Sequence, residues 1–202
     1  LVAAEGRIDR YYQTIEHGTY GGELLEGTLF GYARNATAMI DGPSQFDFYS
    51  GGGLDITFLG FGEVDRHGNV NVSKLAGVPI GPGGFIDIAQ NARKVVFCGT
   101  FDAKGTKLDF VDGSLAISQH GEVQKLVNDV EQITFSGKEA RRNGQTVVYV
   151  TERAVFQLIE NGIALIEVAP GVDIRRDIVE RMAFTPLIPR EPSLMPSRHF
   201  KP

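Results

Sequence analysis

A glutamate beside a glycine is the first feature of this chain that could carry chemistry. It lies in the segment Ile15-Glu16-His17-Gly18. A carboxylate can act as a nucleophile and form a covalent acyl intermediate when a substrate carbonyl is held against it. The same side chain could equally be a general base, a metal ligand or a surface charge, and the local pattern leaves these alternatives open.

A glycine-rich bend further along the chain is the second candidate. Gly81-Pro82-Gly83-Gly84 precedes a predicted helix, and consecutive N–H groups in such a bend can bind a phosphate or a carbonyl oxygen that acquires charge. A tight turn without function is the alternative. The bend matches neither the P-loop nor the dinucleotide-binding fingerprint. Together with Glu16, it suggests acyl transfer through a glutamyl intermediate.

The composition limits the kind of protein. The chain has 202 residues, a length that suits one large domain or two small ones, and 42% hydrophobic with 22% charged residues is a globular balance. The net charge is −5 and no stripe of Lys and Arg offsets it, which argues against nucleic acid as a partner. No apolar run has membrane-spanning length, so no membrane partner is expected. The four histidines lack ligand-type spacing, and we predict no metal site.

The single cysteine indicates a reducing compartment, and we expect a cytoplasmic protein, because no intrachain disulfide can form. Cys98 lies in an apolar run and is predicted to be a buried packing residue. The first residues show neither a starting Met nor a signal-peptide pattern. We therefore expect the chain to begin inside a larger protein.

The periodicity of the chain predicts a single α/β domain over residues 1–202. Residues 1–10 are typical of the tail of a helix, and residues 11–15 of a short strand. That strand places Glu16 at its carboxyl end, where open α/β sheets bind ligands. Residues 17–55 are rich in glycine and are predicted to be mostly loop.

The remaining elements follow the same reasoning. Further strands are predicted over 56–64, 69–73, 95–100 and 147–151, with helices over about 85–92 and 173–182. Two hairpins are predicted in the second half, one turning at Asp112-Gly113 and the other at Asn161-Gly162. Residues 185–202 contain five prolines and are predicted to form an extended tail.

Several segments taken together resemble one enzyme family. The chain is similar, from about Leu1 to Phe200, to the C-terminal (β) half of the family I coenzyme A transferases, specifically the acetate/propionate and 3-oxoacid CoA-transferases. The run Gln45-Phe46-Asp47-Phe48-Tyr49, followed by three glycines, is long enough to be specific. The matching stretches are 14–18, 43–55, 65–73, 81–88, 144–156 and 167–171.

The resemblance implies a fold and a set of site residues. The fold would be an open mixed sheet with flanking helices and with β-hairpins in the second half. Glu16 would be the catalytic glutamate, which forms a glutamyl-CoA thioester. Gly83 and Gly84 would supply the amide that stabilises the oxyanion and would also contact CoA. Lys104 and Asn71 would be further CoA contacts.

The resemblance also implies partners. The substrates would be an acyl-CoA and a short-chain carboxylate, with no cofactor beyond coenzyme A itself. The family's β half opens with a strand and a CoA-binding loop that this chain lacks, and the α half is missing too, so we expect little activity from the chain alone. The complete protein would be a homo-oligomer. Alternatives are an acyl-CoA hydrolase or lyase on the same scaffold, and a non-catalytic CoA-binding or assembly module.

Overall fold

The computed structural model of the chain describes residues 6–201. Residues 1–5, which belong to the predicted helix tail, and residue 202 lie outside this range. Contacts within the chain divide it into two compact units, Leu1–Gly53 and Leu54–Pro202, which we describe separately. The single domain expected over 1–202 stays a prediction.

The first unit is built from short strands and one helix. Strands β1, β2 and β5 form an antiparallel three-stranded sheet in the order β1-β2-β5, and β3 pairs with β4 in a hairpin. The elements are 3-10 turns at Ile8–Arg10 and Gly27–Leu29, strands β1 Thr14–Ile15, β2 Thr19–Tyr20, β3 Glu23–Leu24, β4 Ala33–Arg34 and β5 Ala38–Met39, and helix α1 Gly42–Ser50.

Helix α1 corrects the sequence-based expectation of loop over residues 17–55. Asp41 caps the helix by accepting the N–H of Ser44 at 3.1 Å, and Pro43 suits the first turn because its φ is already helical. The glycines that surround the helix hide these start signals in the sequence. Gln45 and Tyr49, four residues apart on one face, are both buried.

The second unit contains the remaining strands and two further helices. They are β6 Ile56–Gly60, β7 Glu63–Asp65, β8 Val70–Asn71, β9 Lys74–Leu75, β10 Val78–Pro79, α2 Phe85–Asn91, β11 Lys94–Cys98, β12 Asp102–Ala103, β13 Lys107–Val111, β14 Ser114–Gln119, β15 Val123–Gln124, β16 Leu126–Val127, α3 Gly137–Arg142, β17 Thr146–Val150, β18 Ala154–Ile159, β19 Gly162–Val168 and β20 Ser193–Leu194. A π-helix at Ile174–Ile178 and 3-10 turns at Val179–Arg181 and Ser197–Phe200 complete it.

A six-stranded mixed sheet organises the second unit, in the order β20-β19-β18-β17-β11-β6. Strands β6, β11 and β17 run parallel, whereas β17, β18 and β19 pair antiparallel. Both predicted hairpins are present. In the β13–β14 hairpin the turn residues Asp112 and Gly113 have φ of 50° and 74°, as a two-residue turn of this hand requires. The predicted α/β fold with a mixed sheet and hairpins is therefore confirmed.

Aromatic side chains form the centre of the core in the second unit. Phe97 on β11 is fully buried, with its ring 5.7 Å from that of Phe85, 5.5 Å from Tyr149 and 5.1 Å from Phe135. Burial of such rings is the main favourable contribution to folding. Because Phe85 is the first residue of α2, this packing fixes where that helix begins.

Cys98 is exposed, so the prediction of a buried packing residue is wrong. Alternate side chains of a strand point to opposite faces, and Val95 and Phe97 point to the core. Cys98 therefore lies on the other face, with Val96 and with Phe58 of β6, which is 66% exposed. An apolar sequence run does not show which face of its strand is covered.

The C-terminal segment is extended but packed against the sheet. Strand β20 pairs in parallel with β19, and the side chain of Phe200 is buried in a small cluster with Leu115 and Ala169. The helix predicted over 173–182 is instead a π-helix followed by a 3-10 turn. Asp173 caps the π-helix by accepting the N–H of Arg176 at 2.7 Å.

Candidate functional site

Glu16 lies in the tight turn of the β1–β2 hairpin. Strand β1 ends at Ile15, whose carbonyl accepts the N–H of Gly18 at 2.9 Å, and β2 resumes at Thr19 opposite Ile15. Gly18 has a φ of 93°, so the three-residue loop closes with a left-handed residue. The predicted position of Glu16 at a strand end is confirmed. The strand, however, belongs to a small antiparallel sheet and not to the parallel strands of the main sheet.

Two glycines permit close packing around this turn. A Cβ atom on Gly18 would collide with the backbone carbonyl oxygen of Ile40, whose own N–H donates to Gly18 O at 2.9 Å. A Cβ on Gly31 would lie 2.7 Å from Nδ1 of His17. The turn that presents the half-buried Glu16 side chain is therefore closely packed, by the backbone of Ile40 at Gly18 and by Gly31 at the side chain of His17.

Helix α1 supports the strand that leads to Glu16. Nε2 of Gln45 donates to the carbonyl oxygen of Ile15 at 3.2 Å and to Oγ1 of Thr14 at 2.6 Å. The same Thr14 oxygen lies 3.1 Å from the hydroxyl of Tyr49. Burial raises the pKa of Tyr49, and the nearby negative charge of Glu16 adds a smaller increase.

The glycine bend in the second unit offers two backbone donors. Its start is fixed because the N–H groups of Ile80 and Gly81 both donate to the carbonyl oxygen of Ser73, at 2.7 and 3.0 Å. The N–H groups of Gly83 and Gly84 have no partner within residues 6–201. Gly83 has a φ of 54°, and Gly84 precedes the first residue of α2. Two adjacent donors free of protein partners are suited to an oxyanion.

Asn71 is a buried structural residue next to that bend. Its Nδ2 donates to Oε2 of Glu63 at 2.7 Å and to the carbonyl oxygen of Lys74 at 2.6 Å. Its Oδ1 accepts the N–H groups of Ser73 and Lys74. All the hydrogen-bonding positions of the amide are thus used within the chain, and Asn71 holds Ser73, which in turn holds the bend. Its contact with CoA stays a prediction.

Lys104 lies in the turn after β12 and is exposed. Its backbone is left-handed, with a φ of 61°, and its carbonyl oxygen accepts the N–H of Glu122 at 2.9 Å. This hydrogen bond holds the strained backbone, and the side chain of Lys104 is exposed to solvent. An exposed lysine is suited to a phosphate of CoA, and this role also stays a prediction.

A buried ionic cluster surrounds Arg153, and no motif or spacing in the sequence indicates it. This side chain is fully buried and donates to Asp102 at 2.7 Å, to Glu152 at 3.0 Å and to Nδ1 of His120 at 3.0 Å. Burial tends to raise the pKa of Asp102, but hydrogen bonds from Thr106 and Arg153 and the charge of Arg153 hold it below its ordinary value. Each group in the cluster is paired with another, which indicates a structural role.

The described residues contain neither a candidate metal site nor a candidate membrane-spanning helix. In the described part of the chain, no group of three or more His, Cys, Asp or Glu side chains could hold a metal ion. Across residues 6–201, no helix combines the length and the apolar character that crossing a bilayer requires.

Comparison with known proteins gives close relatives. The acetate CoA-transferase YdiF of Escherichia coli (strain K12) is 50% identical over 201 residues, which are 99% of this chain and 38% of that protein. The caffeate CoA-transferase of Acetobacterium woodii is 46% identical over 194 residues, 93% of this chain and 37% of that protein. No family model matches the chain.

Solved structures agree with the sequence comparison. The apoenzyme of the acyl-CoA transferase YdiF from Escherichia coli O157:H7 superposes with a TM-score of 0.92 at 48% identity, covering 99% of this chain and 38% of that one. A second structure of that enzyme is a thioester complex with CoA. The decarboxylase AibA/AibB has a TM-score of 0.65 at 22% identity, covering 90% of this chain and 69% of that one, which shows a shared fold alone.

The resemblance inferred from sequence motifs is confirmed by these relatives. The chain spans about two fifths (38%) of the length of the CoA-transferase YdiF. The sequence alignment and the structural superposition with YdiF each cover 99% of this chain. By sequence and by fold, this chain is homologous to part of the CoA-transferase YdiF.

Proposed function

We propose that the protein containing this chain transfers CoA from an acyl-CoA to a short-chain carboxylic acid through Glu16. The observation that carries the proposal is the 50% identity with an acetate CoA-transferase across 99% of the chain. The hairpin adds support, since Glu16 follows directly after a strand that is fixed by buried side chains. Both findings favour a positioned carboxylate over an ordinary surface charge.

The chemistry would proceed by exchange of activated acyl bonds. A carboxylate oxygen of Glu16 attacks the thioester carbonyl, the C–S bond breaks, and a mixed anhydride and CoA thiolate form. The thiolate then attacks the Glu16 carbonyl, which releases the first carboxylate and leaves a glutamyl-CoA thioester. The second acid reverses these steps. The kinetics should be ping-pong, and no water, metal or redox partner is consumed.

The glycine bend would contribute the oxyanion donors. We propose that the free N–H groups of Gly83 and Gly84 donate to the oxygen that gains charge as the thioester carbonyl is attacked. Loss of one such donor typically costs about 2.7–4 kcal/mol of barrier. Lys104 would contact CoA with its exposed side chain. Asn71, whose amide is buried and saturated within the chain, would act on the CoA side by holding the segment that fixes the bend. Binding of the large CoA moiety can then help to orient and strain the thioester carbonyl toward its transition state.

The complete protein would be larger than this chain. We propose that its remaining polypeptide supplies the α half of the enzyme and the first CoA-binding loop, because the chain spans 38% of the relative YdiF. We further propose a homo-oligomer that works in the cytoplasm, the latter because the single cysteine allows no intrachain disulfide. Light scattering of the purified complete protein tests the oligomer directly.

Trapping of the intermediate tests the proposed function. The complete protein is incubated with acetyl-CoA, treated with borohydride and digested for peptide mass mapping. The modification should appear on Glu16, and Glu16→Ala should abolish exchange of CoA between acetate and propionate. Glu23→Gln, which removes an exposed ion-pair partner of Arg34 in the same unit, is the matched control and should exchange normally.

The outcomes separate the alternatives. Normal exchange by Glu16→Ala rejects the assignment of Glu16. Release of free CoA without a carboxylate acceptor identifies a hydrolase. CoA binding measured by calorimetry that is unchanged in Glu16→Ala, with no turnover in the unmodified protein, identifies a binding module.

A further inference from the structure

We infer that Gln45 is a positioning residue for Glu16. The inference rests on the proposed function, because it assigns Gln45 the task of aiming the carboxylate that forms the thioester. Gln45 belongs to the motif Gln45–Tyr49, to which the proposed chemistry gives no role of its own.

The geometry links Gln45 directly to the residue before Glu16. The side chain of Gln45 is fully buried, and its Nε2 donates both to the carbonyl oxygen of Ile15 and to Oγ1 of Thr14. Strand β1 consists of these two residues alone. So short a strand is weakly held by its sheet, and the side-chain bonds from α1 are the contacts that fix it against a helix.

The other end of the amide has no partner. Oε1 of Gln45 is buried and accepts no hydrogen bond from residues 6–201. A buried acceptor without a partner costs stability. The donor and acceptor ends cannot simply be exchanged, because Oε1 would then face the carbonyl oxygen of Ile15, and two acceptors repel each other.

The amide of Gln45 therefore adds little net stability, because its two hydrogen bonds are offset by the buried and unpaired Oε1. The carbonyl oxygen of Ile15 also accepts the N–H of Gly18, and Oγ1 of Thr14 is also bonded to the hydroxyl of Tyr49. A methionine of similar length would leave neither atom without a partner and would remove the unpaired Oε1. It would, however, release the connection between α1 and the Glu16 turn, so the function of the amide is orientation.

The test compares stability with turnover in the complete protein. Gln45→Met should lower kcat about 10- to 100-fold, because a displacement of 1 Å at a reacting group can cost that much. KM should stay within about twofold, since the change affects the transition state and not substrate binding. The temperature of unfolding should stay close to that of the unmodified protein.

Tyr149→Phe is the control. Tyr149 is fully buried in the second unit, outside the proposed site, and donates its hydroxyl to the carbonyl oxygen of Gly68 at 2.7 Å. This variant removes a buried hydrogen bond and keeps the ring, so it should unfold at a lower temperature and keep a kcat close to that of the unmodified protein. Gln45→Met is thus expected to lower kcat without lowering stability, and Tyr149→Phe to lower stability without lowering kcat.

Three outcomes decide the matter. Low kcat with unchanged unfolding temperature in Gln45→Met supports the inference. A kcat within about threefold of the unmodified protein, or a fall in kcat accompanied by a loss of stability as large as that of Tyr149→Phe, overturns it. If the unmodified protein forms no adduct on Glu16, the proposed function itself fails, and this result is distinguishable because it needs no variant of Gln45.

Discussion

Single residues in the first unit determine where the candidate nucleophile lies. Gly18 is the clearest case, because it combines a left-handed backbone with a close approach to the Ile40 carbonyl group. Neither requirement can be met by a residue with a Cβ atom without a shift of the chain. The turn that carries Glu16 therefore depends on a glycine two residues away.

Gly18→Ala is expected to move the Glu16 turn and lower turnover by about 100-fold, the usual cost of a misplaced reacting group. Steady-state kinetics of the complete protein measure it. Gly42→Ala is the control, because a Cβ on Gly42 meets no atom within 4 Å and its site is helical. That variant should be as active as the unmodified protein, and equal rates for the two alanine variants would contradict the structure.

His120 makes the stability of the second unit depend on pH. Partial burial and then the charges of Arg181 and Arg153 lower its pKa from the ordinary value of 6.5. The unfolded chain then binds more protons than the folded one as pH falls through 6.5, so stability should fall in that range. The pKa values of Asp102 and Asp177 are also lowered, so a second loss should follow below pH 3.8.

Thermal unfolding of the complete protein between pH 8 and pH 3 measures this dependence. His120→Gln keeps an acceptor for Arg153 and should remove the loss near neutral pH while it keeps the loss below pH 4. A profile unchanged by His120→Gln would show that another group titrates in that range.

At the level of elements, short segments are fixed by their ends and by one or two side chains. Helix α1 starts at the Asp41 cap, and α2 starts where Phe85 enters the core. The hairpins follow from their Asp-Gly and Asn-Gly turns, which the sequence predicted correctly. Helix α1 does not stand out in the sequence, because three glycines follow it directly and the glycine-rich region around it is typical of loop.

Asp41→Ala is expected to fray the start of α1. Asp41 accepts hydrogen bonds from both the N–H and the hydroxyl of Ser44, and the hydroxyl bond in particular lowers its pKa. Without these bonds the first turn loses its cap. Amide hydrogen exchange should become faster at Gln45 and stay unchanged in α3, which has its own cap at Ser136. Equal protection of α1 in both proteins would contradict this account.

For the second unit as a whole, Arg153 links segments that are distant in sequence. It connects Asp102 at the start of β12, His120 after β14, and the carbonyl oxygen of Asp177 in the π-helix. Its guanidinium also lies 4.7 Å from the centre of the Phe101 ring. The cost of burying this charge is offset only while every partner is present.

Arg153→Met should therefore destabilise the protein by about 3–5 kcal/mol, because it leaves buried carboxylates without a counter-charge. Chemical denaturation of the complete protein measures the loss. Arg93→Met, which breaks the exposed ion pair with Asp55, is the control and should change stability by less than about 1 kcal/mol. A loss for Arg153→Met no larger than that of the control would show that the cluster does not hold the unit together.

The sequence by itself determined the class of fold, the hairpin turns, the strand end at Glu16 and the similarity to CoA-transferases. These features depend on local patterns or on motifs, which a single chain displays directly. Only the tertiary structure decided the exposure of Cys98, the saturated amide of Asn71, the free N–H groups of Gly83 and Gly84, and the bond from Gln45 to Ile15. Each of these depends on which distant groups meet, and burial and hydrogen bonding between such groups leave no periodic signal in the sequence.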